Sequence, residues 1–360
     1  MCYDMHSMCR AAMFALRVNN TFGGIFIMLT AKQNFLETIK GGKPDRFVKG
    51  YEYMTMVPGD PVNFYVRGAR FPGMEPKKDK WGTTIVWPEG EMGATPAPGL
   101  QVLEDIEEWE DVIKVPDLIA NCDAAELWEP YLERFNAVDR ENTLATVFAP
   151  TGIFERLHFL MGFEDTLCNV MMEPELMADL AMAIGEYRAK GFKLMVEHAH
   201  PDCILSHDDW GSKQNLFMQP ELWREIIKPA YEPGYNYLHE QGVIIVHHSD
   251  SFCQPIIKDM IDLHIDVWQG TLPSNDILKC LEDGEGKIAF QGGLDSGIFD
   301  GEQSTEEEIR ADVRRVCKEY ATKGFFIPSI TYGGPGAWHK GVDEIIDDEI
   351  DKCSAEFFGK

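Results

Sequence analysis

From residue 46 onward the sequence alternates between short apolar segments and long amphipathic ones, and this alternation constrains the fold more than any other feature. Several short segments are continuously apolar, which is typical of strands buried on both faces of a parallel sheet. The longer segments have helical spacing; in 175–198, for example, Leu176, Leu180 and Ile184 recur on one face. We predict seven strands at 47–56, 144–149, 203–206, 243–247, 265–269, 288–291 and 324–328, and the main helices at 175–198, 220–241, 253–263 and 305–323.

Strands that alternate with helices through short polar connections are typical of an α/β fold with parallel strands. Seven or more strands in this order favour a closed (β/α)8 TIM barrel. An open doubly wound sheet would show a Gly-rich phosphate turn after an early strand, and the sequence has none. Residues 60–125 are rich in Pro and Gly and include an acidic run. We therefore expect an elaborated insertion after the first strand that covers one end of the barrel.

Residues 1–27 do not resemble the rest of the chain, because they are Met-rich, nearly uncharged and without a sustained period. Immediately after them, Thr30 is suited to cap the first amphipathic helix. We interpret 1–27 as a non-native or disordered N-terminal extension and Met28 as the native start. Residues 28–360 would then form a single barrel domain.

Charge and cysteine content exclude several classes of protein. The chain has 60 acidic and 33 basic residues and a net charge of −27, which disfavours binding to nucleic acids and to anionic membrane surfaces. No apolar run approaches the roughly 18–20 residues that a membrane span requires. The nine Cys are widely spaced, without a CxxC motif or a secretory leader. These features predict reduced thiols and a cytoplasmic protein.

Polar residues follow the predicted strands at their carboxyl ends, where a (β/α)8 barrel carries its active site. Because those ends meet at one rim, we expect the following side chains to converge on one cavity: Glu52 and Tyr53; His207, Asp208, Asp209 and Trp210; His247, His248 and Asp250; Gln269; Asp295; and Tyr332.

The histidine and aspartate side chains of this set could bind a metal. His248 and Asp250 are two residues apart and project to the same side, whereas His247 faces the other way, where it packs or supports its neighbours. Imidazole and carboxylate donors suit a cation such as Zn²⁺, although a hydrogen-bonded strand end would show the same pattern. Of Asp208 and Asp209, one could bind metal or substrate while the other caps the next helix. Asp295 either lines the pocket or forms a turn.

Nine short motifs, in this order and spacing, resemble the uroporphyrinogen decarboxylase superfamily, and in particular its corrinoid-dependent methyltransferase branch. They are DKWG at 79–82, LEDIE at 103–107, VPD at 115–117, GIFE at 152–155, LMGFE at 160–164, DDWG at 208–211, PELW at 220–223, HSD at 248–250 and GGLD at 292–295. The resemblance covers about residues 30–355 and implies a (β/α)8 barrel.

Two activities compete within that superfamily. The decarboxylases have an Arg-rich segment near the N-terminus that holds the substrate's carboxylates, and the equivalent stretch here, 50–56, contains no Arg. Zinc-dependent methyltransferases have His-x-Cys and a second Cys; here His248 matches the His, Asp250 stands where the first Cys would be, and Ser329 or a neighbour stands where the second would be. This departure disfavours activation of a thiol acceptor and favours polarisation of an oxygen or nitrogen on a methylated substrate.

The resemblance therefore implies a methyltransferase of an anaerobic demethylation system. It would move a methyl group from a small methylated substrate, such as an aryl ether, to the cobalt of a corrinoid (a methylcobamide) carried by a partner protein. His248 and Asp250 would bind Zn²⁺ or polarise the substrate. His207 with Asp208 or Asp209 would complete the coordination or relay a proton.

The resemblance also implies roles for the other pocket residues. Asp295 and Tyr332 would act in catalysis. The substrate would be bound by Glu52, Tyr53, Trp210, His247 and Gln269. Insertion 60–125 would help to dock the partner. The alternatives are a uroporphyrinogen decarboxylase, the second methyltransferase of such a pathway and a non-catalytic tetrapyrrole-binding protein. The oligomeric state stays open, with a homodimer among the options.

Overall fold

The computed structural model of the chain describes residues 28–91, 93–299, 304–331 and 341–359. The predicted extension, 1–27, lies outside these ranges. The strands are β1 (Met54–Met56), β2 (Met74–Lys78), β3 (Thr84–Trp87), β4 (Thr95–Pro96), β5 (Leu144–Ala149), β6 (Cys203–His207), β7 (Ile244–His248), β8 (Val267–Thr271), β9 (Ala289–Gly293) and β10 (Phe326–Ser329).

Helices follow most of the strands. They are α1 (Ala31–Ile39), α2 (Pro61–Arg67), α3 (Trp109–Val112), α4 (Leu118–Cys122), α5 (Ala125–Phe135), α6 (Ile153–Met161), α7 (Phe163–Met172), α8 (Pro174–Ala199), α9 (Pro220–Leu222), α10 (Lys228–Glu240), α11 (Ile257–Asp262), α12 (Ile277–Gly284), α13 (Ser296–Phe299), α14 (Glu306–Glu319) and α15 (Val342–Phe358). A π-helical turn, Trp223–Ile227, joins α9 to α10, and short 3₁₀ turns lie at Ile106–Glu108, Gln254–Ile256 and Ala321–Lys323.

Seven strands, β1 and β5 to β10, pair in parallel and in chain order to form one curled sheet. Residues from all seven strands meet in a single apolar cluster on its inner face: Met54, Leu144, Leu205, Val246, Val267, Ala289 and Ile327. Such a cluster can form only if the sheet curves around it, as in a barrel. From helix α1, Phe35 stacks on Tyr53 with ring centroids 3.8 Å apart, next to the start of β1.

The alternate residues of the same strands face the helices. Val147, Ile204, Trp268 and Phe290 belong to the larger core cluster between the sheet and the surrounding helices. This two-sided burial explains why the strand sequences are almost continuously apolar. Side chains at odd and even strand positions therefore lie in different compartments, a fact that decides which polar residues can share a site.

The structure confirms the predicted α/β barrel class. Several strands and helices begin or end at other residues than predicted. Strand 47–56 shortens to β1, because Gly50 adopts a φ of +41° and residues 50–53 form a turn. The predicted helix 220–241 is interrupted by the π-helical turn. Pro229 follows that turn and has no N–H for an α-helical bond. The expected insertion contains a three-stranded antiparallel sheet, β2–β3–β4. Within the described ranges, no helix is long and apolar enough to cross a membrane.

Candidate functional site

Three polar residues lie side by side at the carboxyl ends of adjacent strands. In the parallel ladders His207 of β6 is in register with His248 of β7, and His248 is in register with Gln269 of β8. Each is two residues beyond a member of the inner apolar cluster, such as Leu205 or Val246, so all three point to the inside of the curled sheet. This is the end of the fold at which barrel enzymes carry their active sites.

Asp209 completes a cluster with the two histidines. One potential ligand atom from each of His207, Asp209 and His248 lies within 4.8 Å of the other two. The Nε2 atom of His248 is 3.9 Å from Oδ1 of Asp209. The imidazole rings of the two histidines stack, with centroids 4.5 Å apart. Two imidazoles and one carboxylate from neighbouring strand ends therefore face one small volume.

The Nδ1 atom of His207 forms a hydrogen bond with a glutamate of helix α6. Nδ1 of His207 lies 3.1 Å from Oε2 of Glu155. Glu155 is in the first turn of α6, where its carboxylate also accepts a hydrogen bond from the backbone N–H of Gly152 at 3.0 Å. This bond at the start of the helix fixes the glutamate, and the glutamate orients the imidazole.

His248 is oriented in the same way by an amide. Its Nδ1 contacts Oε1 of Gln269, and because a carbonyl oxygen only accepts, Nδ1 of His248 carries the proton. Gln269 is fully buried and donates from Nε2 to the backbone oxygen of Thr331 at 3.3 Å. In both histidines Nδ1 is thus engaged, so Nε2 is the ring nitrogen that remains for a ligand, and Nε2 of His248 lies 3.9 Å from Asp209. A ligating histidine in a metalloprotein is typically held in this way by a carboxylate or carbonyl behind it.

Electrostatics separates the two histidines. Burial lowers the pKa of His207, but the charge of Glu155 and the hydrogen bond to it outweigh burial and raise this pKa to about 10. Burial alone would raise the pKa of Glu155, yet the charge of His207 lowers it to about 2. Burial and the charge of His207 together lower the pKa of His248. Without a metal, His207 is therefore protonated and His248 neutral at pH 7.

A second carboxyl group lies beside the cluster. The backbone N–H of Asp250 donates to Oδ1 of Asp209 at 3.1 Å. Burial, followed by the negative charge of Asp209, raises the pKa of Asp250 to about 7. The carboxylate that lies against His248 is that of Asp209, whereas the sequence favoured Asp250 for this place. Asp250 is instead positioned to carry a proton next to the cluster.

Asp208, expected among the catalytic residues, points away from the cluster and organises its support. The side chain is fully buried and accepts hydrogen bonds from the backbone N–H groups of Phe154 and Glu155 at 2.9 and 2.8 Å. It also accepts from the Tyr231 hydroxyl at 2.6 Å and from the Trp210 indole at 3.0 Å. Asp208 therefore caps α6, the helix that carries Glu155. The sequence predicted a cap for one Asp of this pair, but on the helix that follows it, whereas α6 precedes Asp208 in the chain.

His247 and Trp210, expected among the substrate-binding residues, lie in the helix layer instead. Their rings stack with centroids 4.0 Å apart, and both side chains are buried. Nδ1 of His247 is 2.7 Å from the hydroxyl of Tyr235. Burial, with the charge of Arg188 adding to it, holds the pKa of His247 well below its usual range. The alternation of side chains along β7 explains this placement, because His247 and His248 face opposite sides of the strand.

The remaining predicted residues are dispersed. Glu52 and Tyr53 precede β1 rather than follow it; Glu52 pairs with Arg46, and the buried Tyr53 donates to Gln291 at 2.8 Å. Asp295 is exposed and forms a turn, accepting from the backbone N–H of Gly297 at 3.0 Å. Tyr332 lies outside the described residues.

Glu155 is an important site residue that the pattern of polar groups at strand ends does not predict. It lies in a helix, at the third position after Gly152, and it reaches the site through the first turn of α6. The motif GIFE at 152–155 contains it, but only the fold shows that its carboxylate meets His207. The first turn of a helix that follows a barrel strand can therefore contribute a side chain to the site.

The donor set fits a divalent cation. Two neutral imidazoles and a carboxylate are ligands that Zn²⁺ accepts, and three protein ligands with a further position for water or substrate are typical of catalytic zinc sites. His207 must lose its proton from Nε2 to take part, which couples metal binding to pH.

Comparison with known proteins assigns the family. The family model described as uroporphyrinogen decarboxylase (URO-D) matches residues 78–336. The chain belongs to the uroporphyrinogen decarboxylase family. A solved structure, a methyltransferase from Methanosarcina mazei, is similar over 92% of this chain and 99% of that one, with a TM-score of 0.64 and 14% sequence identity. At that identity the similarity shows a shared fold. No curated protein matches the chain.

Proposed function

We propose that this protein is a methyltransferase that moves a methyl group from a small methylated substrate to a corrinoid carried by a partner protein. One observation carries the proposal: His207, Asp209 and His248 converge at the carboxyl ends of two strands, with both imidazole Nδ1 atoms already engaged. The fold shared with a methyltransferase supports the same assignment.

His207, Asp209 and His248 would hold a divalent cation, for which Zn²⁺ is the best match to the donors. When bound there, such a cation polarises the oxygen or nitrogen that carries the methyl group and makes it a better leaving group. The corrinoid would supply the nucleophile that accepts the methyl group.

The protein's own residues would orient the reactants and manage the proton. Glu155 and Gln269 hold the two imidazoles in fixed orientations, so that little reorganisation is needed during reaction. Asp250, whose pKa is about 7, would donate a proton to the leaving oxygen or nitrogen when the bond to the methyl carbon breaks. The inner wall of the sheet would confine the substrate so that the methyl group faces the mouth.

Metal analysis tests the first half of the proposal. We expect purified protein to bind about one Zn²⁺, with affinity weakened at least roughly 100-fold in His248→Ala and in Asp209→Asn. His239→Ala removes a histidine that stacks on His264 away from the cluster, and serves as the matched control. Unchanged zinc affinity in His248→Ala would remove the metal from the proposal.

Methyl transfer tests the second half. Free cob(I)alamin can be offered as acceptor with methoxylated aromatics or methylamines as donors, and formation of methylcobalamin followed by absorbance. We expect turnover with at least one donor class and none in Asp209→Asn. Formation of methylcobalamin at the rate of the protein-free control, for every donor, would contradict the proposal.

Family membership favours decarboxylation of uroporphyrinogen as the second candidate. This activity needs several cationic partners for the substrate carboxylates, and segment 50–56 provides no Arg. Turnover of uroporphyrinogen, assayed by loss of carboxylates, would establish it in place of methyl transfer.

A further inference from the structure

A groove between the insertion and helix α5 concentrates positive charge in a chain whose net charge is −27. Its volume is about 880 Å³, and it lies between α2, the end of β2 and α5. Five cationic side chains line it: Arg67, Lys77, Lys78, Lys80 and Arg134. We call this feature the basic groove. Its lining includes none of the residues of the His207, Asp209 and His248 cluster.

The cationic side chains of the basic groove lack close ion pairs within the described part of the chain. Among the described residues, none of the five cationic side chains forms an ion pair, although the chain has 60 acidic residues. The single carboxylate in the lining is Asp79, which is bound to Arg156 at 2.8 Å and accepts from the backbone N–H groups of Trp81 and Thr83. Arg67 has longer-range electrostatic interactions with Glu155, Asp60 and Asp79, so the excess positive charge of the groove comes mainly from the three lysines and Arg134.

Two hydrogen-bond donors in the lining have no partner among the residues that the structure describes. Nε of Arg67 and the hydroxyl of Tyr131 are buried, and neither has a hydrogen-bond partner within the described part of the chain. A buried polar group without a partner is destabilising, so such groups commonly mark a place where water or a ligand binds. The oxygen atoms of a bound anion could accept hydrogen bonds from both donors. The positive charges of the neighbouring lysines would favour binding of such an anion.

Part of the lining of the basic groove is apolar or aromatic. Phe64 is 61% exposed and Leu127 is 48% exposed, so the lining offers apolar surface beside its lysines. The Lys80 Nζ lies 4.8 Å from the centre of the Tyr65 ring, so an aromatic face and a charge are already adjacent. A flat apolar body could pack against these walls while its charged groups meet the lysines.

We propose that the basic groove binds a small organic dianion, in which two carboxylate, sulfonate or phosphate groups are attached to a flat apolar body. Its volume is within the roughly 300–1,000 Å³ that small-molecule sites occupy. The buried donors favour a ligand that enters the groove over an acidic protein that would rest on its rim. The proposal does not depend on methyl transfer, because it uses a different set of residues.

Isothermal titration of the full chain at low salt, with benzene-1,3-dicarboxylate as probe and the corresponding diamide as neutral control, tests this. We expect the dianion to bind with a dissociation constant of roughly 10–500 µM and the diamide at least about tenfold more weakly. In the double variant Lys77→Gln/Lys80→Gln, whose two lysines are exposed, binding should weaken by about tenfold or more. Arg67→Gln should also weaken binding of the dianion, although it leaves the exposed lysines at the rim of the groove unchanged.

Lys287→Gln is the matched control, since it removes one exposed lysine outside the groove and should leave binding unchanged. Equal affinity for dianion and diamide, equal weakening by Lys287→Gln, or no heat of binding would each overturn the proposal. Binding of poly-glutamate without binding of the dicarboxylate would assign the basic groove to an acidic protein and would likewise overturn it.

Discussion

His207 and Glu155 form an ion pair in which Nδ1 and Oε2 lie 3.1 Å apart, although the two residues belong to different elements, β6 and α6. The pair engages Nδ1 of His207, so Nε2 is the ring nitrogen that remains to bind a metal together with Asp209 and His248. The same glutamate therefore stabilises the protonated imidazole in the metal-free protein and would orient the neutral imidazole in the metal-bound protein. Which form is present depends on pH.

We first predict that zinc affinity rises with pH. The pKa of His207 is raised to about 10, so below that pH a proton must leave Nε2 before the imidazole can bind metal. The zinc dissociation constant should fall by about tenfold per pH unit between pH 8 and 9.5, as measured with chelator-buffered zinc. In Glu155→Gln the zinc affinity should rise at lower pH, because the carboxylate that raises the pKa of His207 is lost. Glu164 is exposed, and Glu164→Gln should behave like the wild type. A flat profile in the wild type would contradict this.

The second prediction concerns the stability of the metal-free protein. The pKa of His207 is higher in the folded than in the unfolded state, so its stabilising effect is complete below about pH 6.5 and is lost as pH rises through about 10. The pKa of Glu155 is lowered to about 2, so its effect is present above about pH 4.5 and is lost as pH falls through 2.

The free energy of unfolding attributable to this pair is therefore greatest between pH 4.5 and 6.5. Glu155→Gln, which keeps a hydrogen-bond acceptor, should lower the free energy of unfolding by about 1–3 kcal/mol in that window and by less near pH 10. Urea unfolding of the EDTA-treated protein at pH 5.5 and 9.5 measures the difference. An equal effect at both values would show that the charge of Glu155 is unimportant.

The third prediction is that Asp250→Asn stabilises the fold at alkaline pH while it impairs catalysis. The pKa of Asp250 is raised to about 7, first by burial and then by Asp209, so the ionised form destabilises the native state. The penalty is absent below about pH 3.8, grows as pH rises through 7 and is complete above it. At pH 8.5 the variant should unfold with a free energy roughly 1 kcal/mol higher than the wild type, and at pH 4 with an equal one.

The same variant should lose the proton donor and hence most of its methyl-transfer activity at all pH values. The wild-type rate should decline above pH 7, as Asp250 becomes ionised. Asp295→Asn, at an exposed turn, is the control and should retain both activity and stability profile. Full activity in Asp250→Asn would assign the proton transfer to another group.

The strand-end residues illustrate what sequence reasoning can predict here. The period of two along β7 predicts that His247 and His248 face opposite sides, and they do: His247 stacks on Trp210 and His248 on His207. The same period does not predict which of Asp208 and Asp209 joins the two histidines of the cluster. Asp208 is buried as a helix cap because α6 begins beside it, and the approach of two distant segments has no local signal in the sequence.

The first strand illustrates the opposite case. The apolar residues of 47–56 predict one continuous strand, but the turn at Gly50 divides it, so Glu52 and Tyr53 lie before β1 and away from the carboxyl end. Gly50 can adopt its positive φ at no steric cost, but nothing in the sequence shows that it does so. A prediction that assigns side chains to a rim is therefore sensitive to a single turn.

The fourth prediction tests the connection from the helix cap to the cluster. A Cβ placed on Gly152 would lie 2.1 Å from both Cβ and Cγ of Asp208, so Gly152→Ala must displace either the cap or the start of α6. We expect a loss of about 2–4 kcal/mol in the free energy of unfolding and a zinc affinity weakened by about tenfold or more, because Glu155 moves with the helix. Urea unfolding and chelator competition measure the two effects.

Gly93→Ala is the control, since a Cβ there meets no atom within 4 Å and should change neither quantity. If Gly152→Ala lowered stability but left zinc affinity intact, Glu155 would not be the residue that orients His207.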